Sequence, residues 1–158
     1  MPFTPMNPQF RQRVQQSFER QGFMHTLGAQ LAQIEAGVVE IHLAYRSELT
    51  QQHGYYHGGV IGSLADNACG YAAFTLMRAE DSVLTAEYKV NLLAPGDGEL
   101  LIARAEVLRP GRTLTVCEAR VLARKDGADK LCATALATLI TLPNQSDDTS
   151  RGGADRLQ

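Results

Sequence analysis

The sequence predicts an α+β fold: a curved antiparallel β-sheet wrapped around a long central helix, with a short N-terminal helix in front. Three observations carry that expectation. Residues His57 to Met77 read as a helix with no face suited to water: Val60, Ile61, Leu64, Ala68 and Tyr71 line one side, Gly59, Gly62, Ser63 and Gly70 the other, and Asp66 is the only formal charge before Arg78. An apolar hairpin precedes this helix, and four strands joined by short turns follow it. A sheet curled around the helix hides its apolar face and leaves the glycine face for a second copy or a ligand.

The N-terminal helix is expected over residues 8–21. Asn7-Pro8 reads as an N-cap with proline at the first helical position, and Phe10, Val14 and Phe18 recur at four-residue spacing up to Gly22. Two apolar segments between Thr26 and Leu43 flank Glu35-Ala36-Gly37, and Val39, Ile41 and Leu43 alternate with Glu40 and His42, which predicts a hairpin with one wet face. Arg46 to Tyr56 has no period and reads as a loop leading into the central helix. Beyond that helix, Ala86, Tyr88, Val90 and Leu92 alternate with Thr85, Glu87, Lys89 and Asn91, a strand that ends at Pro95-Gly96-Asp97-Gly98. Strands over 101–108, 113–123 and 130–142 follow, separated by Arg109-Pro110-Gly111-Arg112 and Asp126-Gly127. Such short connections predict an antiparallel four-stranded meander. Residues 1–143 are thus expected to form one domain, and the polar tail 144–158 to be disordered.

Composition excludes several functions. The net charge of -2 and a pI near 6.1 offer no global attraction to nucleic acid or to an anionic membrane. Cys69, Cys117 and Cys132 are odd in number, far apart and set in apolar runs, so they read as reduced core thiols with no disulfide or metal role, which points to the cytoplasm. The N-terminal segment lacks the layout of a signal peptide.

The chemistry concentrates at the central helix. Glycines lower helix stability, so a face built from them implies close approach by a backbone or a ligand, and Asp66 sits at that contact. Gly58 and Gly59 stand where a helix N-terminus offers unpaired N–H donors and a favourable dipole to a developing negative charge. A lone carboxylate nearby can take a proton from water. Ser63 has no histidine and acid at triad spacing, which argues against a serine hydrolase.

His57-Gly58-Gly59 followed by Leu64-Ala65-Asp66 at the start of a buried helix resembles the signature of the PaaI-like hotdog-fold acyl-CoA thioesterases, and the order of elements agrees from about Phe23 to Leu142. The resemblance implies hydrolysis of an acyl-CoA, a small-molecule substrate, to a free acid and coenzyme A without metal or redox cofactor. It implies that Asp66 is the catalytic carboxylate, as general base or as nucleophile, and that the Gly58 N–H polarises the thioester carbonyl. Gln51 falls where relatives carry an asparagine or another polar residue that holds water or the thioester, and Thr85 where some carry a serine. The resemblance implies that His57 and Gly59 border the substrate, and Arg109 and Arg112 lie in what resembles the family's turn near bound coenzyme A.

Other readings stand beside these. Asp66 can be a structural acid, His57 a loop hydrogen-bonding residue, and the turn arginines mere surface charges. An acyl-CoA sensor that binds without turnover and a hydratase or dehydratase using His57 with Asp66 are rival functions on the same fold. Geometry adds one constraint: Gly58 and Asp66 are eight residues apart, ~12 Å along a helix at about 1.5 Å per residue, so one carbonyl cannot touch both in a single chain. If both serve one reaction, a homodimer is required, with the helices antiparallel across a two-fold axis. Leu114 and Val116, on the expected outer side of their strand, hint at a dimer of dimers.

Overall fold

The computed structural model describes residues 3–145 and 147. A six-stranded antiparallel sheet curls around one long helix, with two short helices at its open end. The helix α1 spans Phe10–Glu19 and α2 spans Gly22–Leu27. The hairpin β1 (Gln30–Glu35) and β2 (Val38–Ala44) comes next, then the central helix α3 (Gly58–Phe74) and strands β3 (Ser82–Leu92), β4 (Leu100–Arg109), β5 (Leu114–Lys125) and β6 (Ala128–Leu142).

The expected helix over 8–21 is shorter and is followed by a second one. Asn7 does cap the chain, its Oδ1 accepting from the Gln9 N–H at 3.0 Å, but regular helix begins at Phe10. Gly22 starts α2, which buries Met24 and Leu27 and ends at Gly28 in the left-handed conformation. Phe10, Val14 and Phe18 are buried, as their spacing requires. Arg13 ties α1 down: its guanidinium donates to the Arg78 carbonyl at 2.6 Å and to the Asp81 carbonyl, and it lies 3.9 Å over the Phe74 ring.

Two sequence expectations about the sheet are corrected. The strand order is β1-β2-β4-β5-β6-β3, so only β4, β5 and β6 form a meander. Strand β3 pairs with β6 instead of β4, and β4 pairs with β2. The connection from Leu93 to Glu99 is not a hairpin turn: Tyr56 bridges to Gly96 through its backbone N–H, 2.9 Å from the Gly96 carbonyl, which fastens this crossing segment to the loop before α3. The second correction is a β-bulge. The register of β3 on β6 slips between Thr85 and Glu87, so Ala86 is the extra residue and Thr85 turns to the same face as Tyr88 and Val90. Simple alternation had placed Thr85 with Glu87 and Lys89.

The core lies between α3 and the concave sheet, with Leu64, Ala65, Ala68 and Ala72 of the helix and Val39, Ile41, Leu101, Val121 and Leu139 of the strands excluded from water. Two glycines of α3 let β3 approach: a Cβ on Gly58 would meet Leu92 at 2.9 Å, and one on Gly62 would touch Val90 and Tyr88. The expectation of a disordered tail falls mostly outside the described residues. Its beginning is anchored, with the Asn144 N–H donating to Asp81 Oδ1 at 3.2 Å and Asp147 paired with Arg20 at 2.9 Å. No helix among the described residues is long and apolar enough to cross a membrane.

Candidate active site

Asp66 is held in place by the bulge of β3. The Thr85 hydroxyl donates to Asp66 Oδ1 at 2.7 Å, joining two residues 19 positions apart. Burial pushes the Asp66 carboxyl above the usual carboxylate range, while the Thr85 bond, which favours the ionised form, works against that rise. The only acid on α3 is therefore fixed through one oxygen and made more basic than a surface aspartate.

The start of α3 presents one open donor. His57 caps the helix, its Nδ1 accepting from the Gly59 N–H at 2.9 Å, which leaves its proton on Nε2. The His57 carbonyl takes the N–H groups of Val60 at 2.9 Å and of Ile61 at 3.2 Å. Among the described residues, the Gly58 N–H is the first-turn donor without a partner. Ser63 is spent locally, its hydroxyl donating to the Gly59 carbonyl at 2.7 Å.

Other predicted residues are not gathered at Asp66 within one chain. Gln51 caps a tight loop, its Oε1 accepting from the His53 N–H, and its amide N–H groups remain for a ligand. Arg109 and Arg112 are exposed at the β4–β5 turn, and Arg112 lines a cleft of about 760 Å³ with Ala73 from the C-terminal end of α3, the end opposite Gly58, and with Met77 just beyond that helix.

A second cleft, of about 290 Å³, runs beside Asp66 between α1, α3 and β3. Apart from Asp66 and Thr85, sequence reasoning missed its polar residues. Tyr71 donates to Ser17 Oγ at 3.1 Å, and Asn67 Nδ2 to Gln21 Oε1 at 2.7 Å. The Tyr71 hydroxyl, deprived of water, is pushed up to about 12. Nothing local in the sequence marks Ser17 and Gln21, because their role depends on where α1 docks. Tyr71 was legible as part of the apolar face or as a partner of a structural Asp66, and its hydroxyl goes to Ser17 instead.

The sequence model of the thioesterase superfamily matches residues 53–130. A crystal structure of a thioesterase family protein from Silicibacter pomeroyi is 49% identical, covers 85% of this chain and 98% of its own, and superposes with a TM-score of 0.84. A 1,4-dihydroxy-2-naphthoyl-CoA hydrolase of Listeria monocytogenes is 28% identical over 75% of this chain and 94% of its own length. The E. coli PaaI protein from the phenylacetic acid degradation operon shares the fold, with a TM-score of 0.79 at 19% identity over 89% of this chain and 98% of that one.

Proposed function

Because this chain belongs to the thioesterase superfamily and has its hotdog fold, we propose that it hydrolyses an acyl-CoA thioester to a free acid and coenzyme A. The pairing of a carboxylate of raised pKa at Asp66 with an open N–H at Gly58 carries this reading. Asp66, anchored by Thr85 through Oδ1, takes a proton from water through its free Oδ2 as the water oxygen adds to the thioester carbon. The resulting oxyanion is stabilised by the Gly58 N–H at the positive end of α3. Collapse breaks the carbon–sulfur bond, the sulfur takes the proton back from Asp66, and one water has been consumed. No metal or redox cofactor is needed for these steps.

Gly58 comes from a second copy, since ~12 Å of helix separates it from Asp66 in one chain. Strand β3 is an edge of the sheet, eleven residues long, with Tyr88 48% and Leu92 57% exposed, a surface suited to pairing with its own image. Antiparallel helices would place Gly58 of one copy beside Asp66 of the other, with the Gln51 amide and the His57 ring at the same junction. Arg112, and Arg109 beside it, would take the coenzyme's phosphates. Across the outer face, Leu84, Ile140 and Leu114 stand in register on three neighbouring strands, which supports packing of two dimers. The three buried, unpaired cysteines support a cytoplasmic site of action.

Free-thiol release from a panel of acyl-CoAs tests the reading. Turnover that disappears in Asp66→Asn is expected, and acyl-CoA binding without thiol release would replace hydrolysis by sensing.

A further inference from the structure

The outer face of the sheet carries a charge pattern that one chain alone leaves unsatisfied. Strands β4 and β5 pair so that Arg104 stands directly opposite Arg120, and Glu106 directly opposite Glu118. Like charges facing each other across two strands are unfavourable, and an alternating order would relieve both pairs. Arg104 is relieved within the chain by Glu40 at 3.7 Å and Glu106 at 3.2 Å. Arg120 and Glu118 are exposed and have no ion pair or side-chain hydrogen bond among the described residues.

The same pattern is self-complementary. A two-fold axis lying along the sheet surface, at right angles to the strands and over Ala119, turns the arginine row of one copy onto the glutamate row of another. Arg120 of each copy then meets Glu118 of the other, and Arg104 meets Glu106. Val116 and Leu122, three residues to either side of Ala119 and only half-buried, are exchanged by the same rotation, so apolar groups flank the ion pairs. Leu136, 53% exposed beside Glu118, is covered in the same contact. An axis parallel to the strands sets arginine on arginine and acid on acid, which like-charge repulsion opposes.

The strand register supplies a second, independent observation. Ala119 stands opposite Ala135, and Ala135 opposite Val90, so the line over Ala119 reaches the edge strand β3 at Val90. There α3 packs with Gly62, on which a Cβ would lie 3.7 Å from Val90 Cγ2. Gly62 is midway between Gly58 and Asp66, the level at which the two-fold of a shared active site must pass. Two perpendicular two-folds that cross at one point close an assembly at four copies.

Resting on the shared-site dimer of the thioesterase reading, we propose that the outer face of β4 and β5 is the interface for a second dimer, held by reciprocal Arg120–Glu118 ion pairs about an axis over Ala119 and Val90. This fixes which way round the two dimers pack.

The test is light scattering with size-exclusion chromatography, run together with free-thiol release from acyl-CoAs on the same samples. The parental protein should have the mass of four 17.2 kDa chains, and added salt should shift it toward two. Glu118→Arg and Arg120→Glu should each be dimers that keep their turnover. Their equimolar mixture, and the double charge swap in one chain, should assemble into fours again. Glu118→Gln, which removes charge without adding repulsion, should raise the dimer–dimer Kd about tenfold and serves if a reversal variant does not fold. A parental protein no larger than a dimer, or folded reversal variants that remain tetramers, would overturn the interface. Tetramers that respond to the charge changes as expected but release no thiol would sink hydrolysis and keep the interface.

Discussion

Thr85 reaches Asp66 across 2.7 Å because one extra residue, Ala86, turns the start of β3 over. Without that bulge the hydroxyl would point away from α3 with Glu87, and the Asp66 carboxylate would lose its only side-chain hydrogen bond among the described residues.

Removing the hydroxyl isosterically has a signed consequence. Thr85 favours ionised Asp66, so Thr85→Val raises the carboxyl pKa further. The acid limb of the pH profile of kcat/KM should move to higher pH, and a limb that stays in place would exclude Asp66 as the titrating base.

Asp66→Asn should abolish most of kcat and yet increase stability at neutral pH. Burial raises the folded-state pKa of Asp66 above its unfolded value. The folded state therefore holds the proton longer, and the parental protein loses stability as pH rises from the ordinary carboxylate pKa through the raised one. Thermal unfolding of the two proteins should converge at acid pH and diverge, with the variant higher, toward neutrality.

Gly58→Pro tests the shared site. Gly58 does not have positive φ, and His57 before it is extended with ψ 138, so the backbone accepts proline. Leu92 must yield slightly. Co-refolding Gly58→Pro with Asp66→Ala should restore about a quarter of parental activity, since random pairing makes about half the dimers mixed and each has one intact site. Mixtures with proven subunit exchange that stay inactive would place the reaction within one chain.

Arg112→Ala and Arg109→Ala should raise KM with little change in kcat, and added salt should act in the same direction. Arg112, which lines the larger cleft, should have the greater effect. Equal KM values in both variants and the parent would remove this turn from coenzyme recognition.

His57→Ala removes the cap on Gly59 and should cost about 0.5–2 kcal/mol of stability, measured by urea unfolding. His57→Asn, which can cap, should recover most of it.

The sequence by itself determined the local elements and the identity of the central helix. Apolar spacing in Phe10, Val14 and Phe18, alternation in Val39, Ile41 and Leu43, and the glycine-rich, nearly uncharged run around Asp66 are properties of neighbouring residues and survive in the structure. Only tertiary structure decided which strands are neighbours. β3 crosses to the far side of β6 because pairing is a choice among distant segments, to which a short connection gives no guide once Tyr56 pins it at Gly96. The bulge at Ala86 follows from that pairing, and it alone delivers Thr85 to Asp66. Likewise Ser17 and Gln21 are ordinary polar positions on α1 until the Arg13 bonds seat that helix against Phe74 and bring them to the cleft.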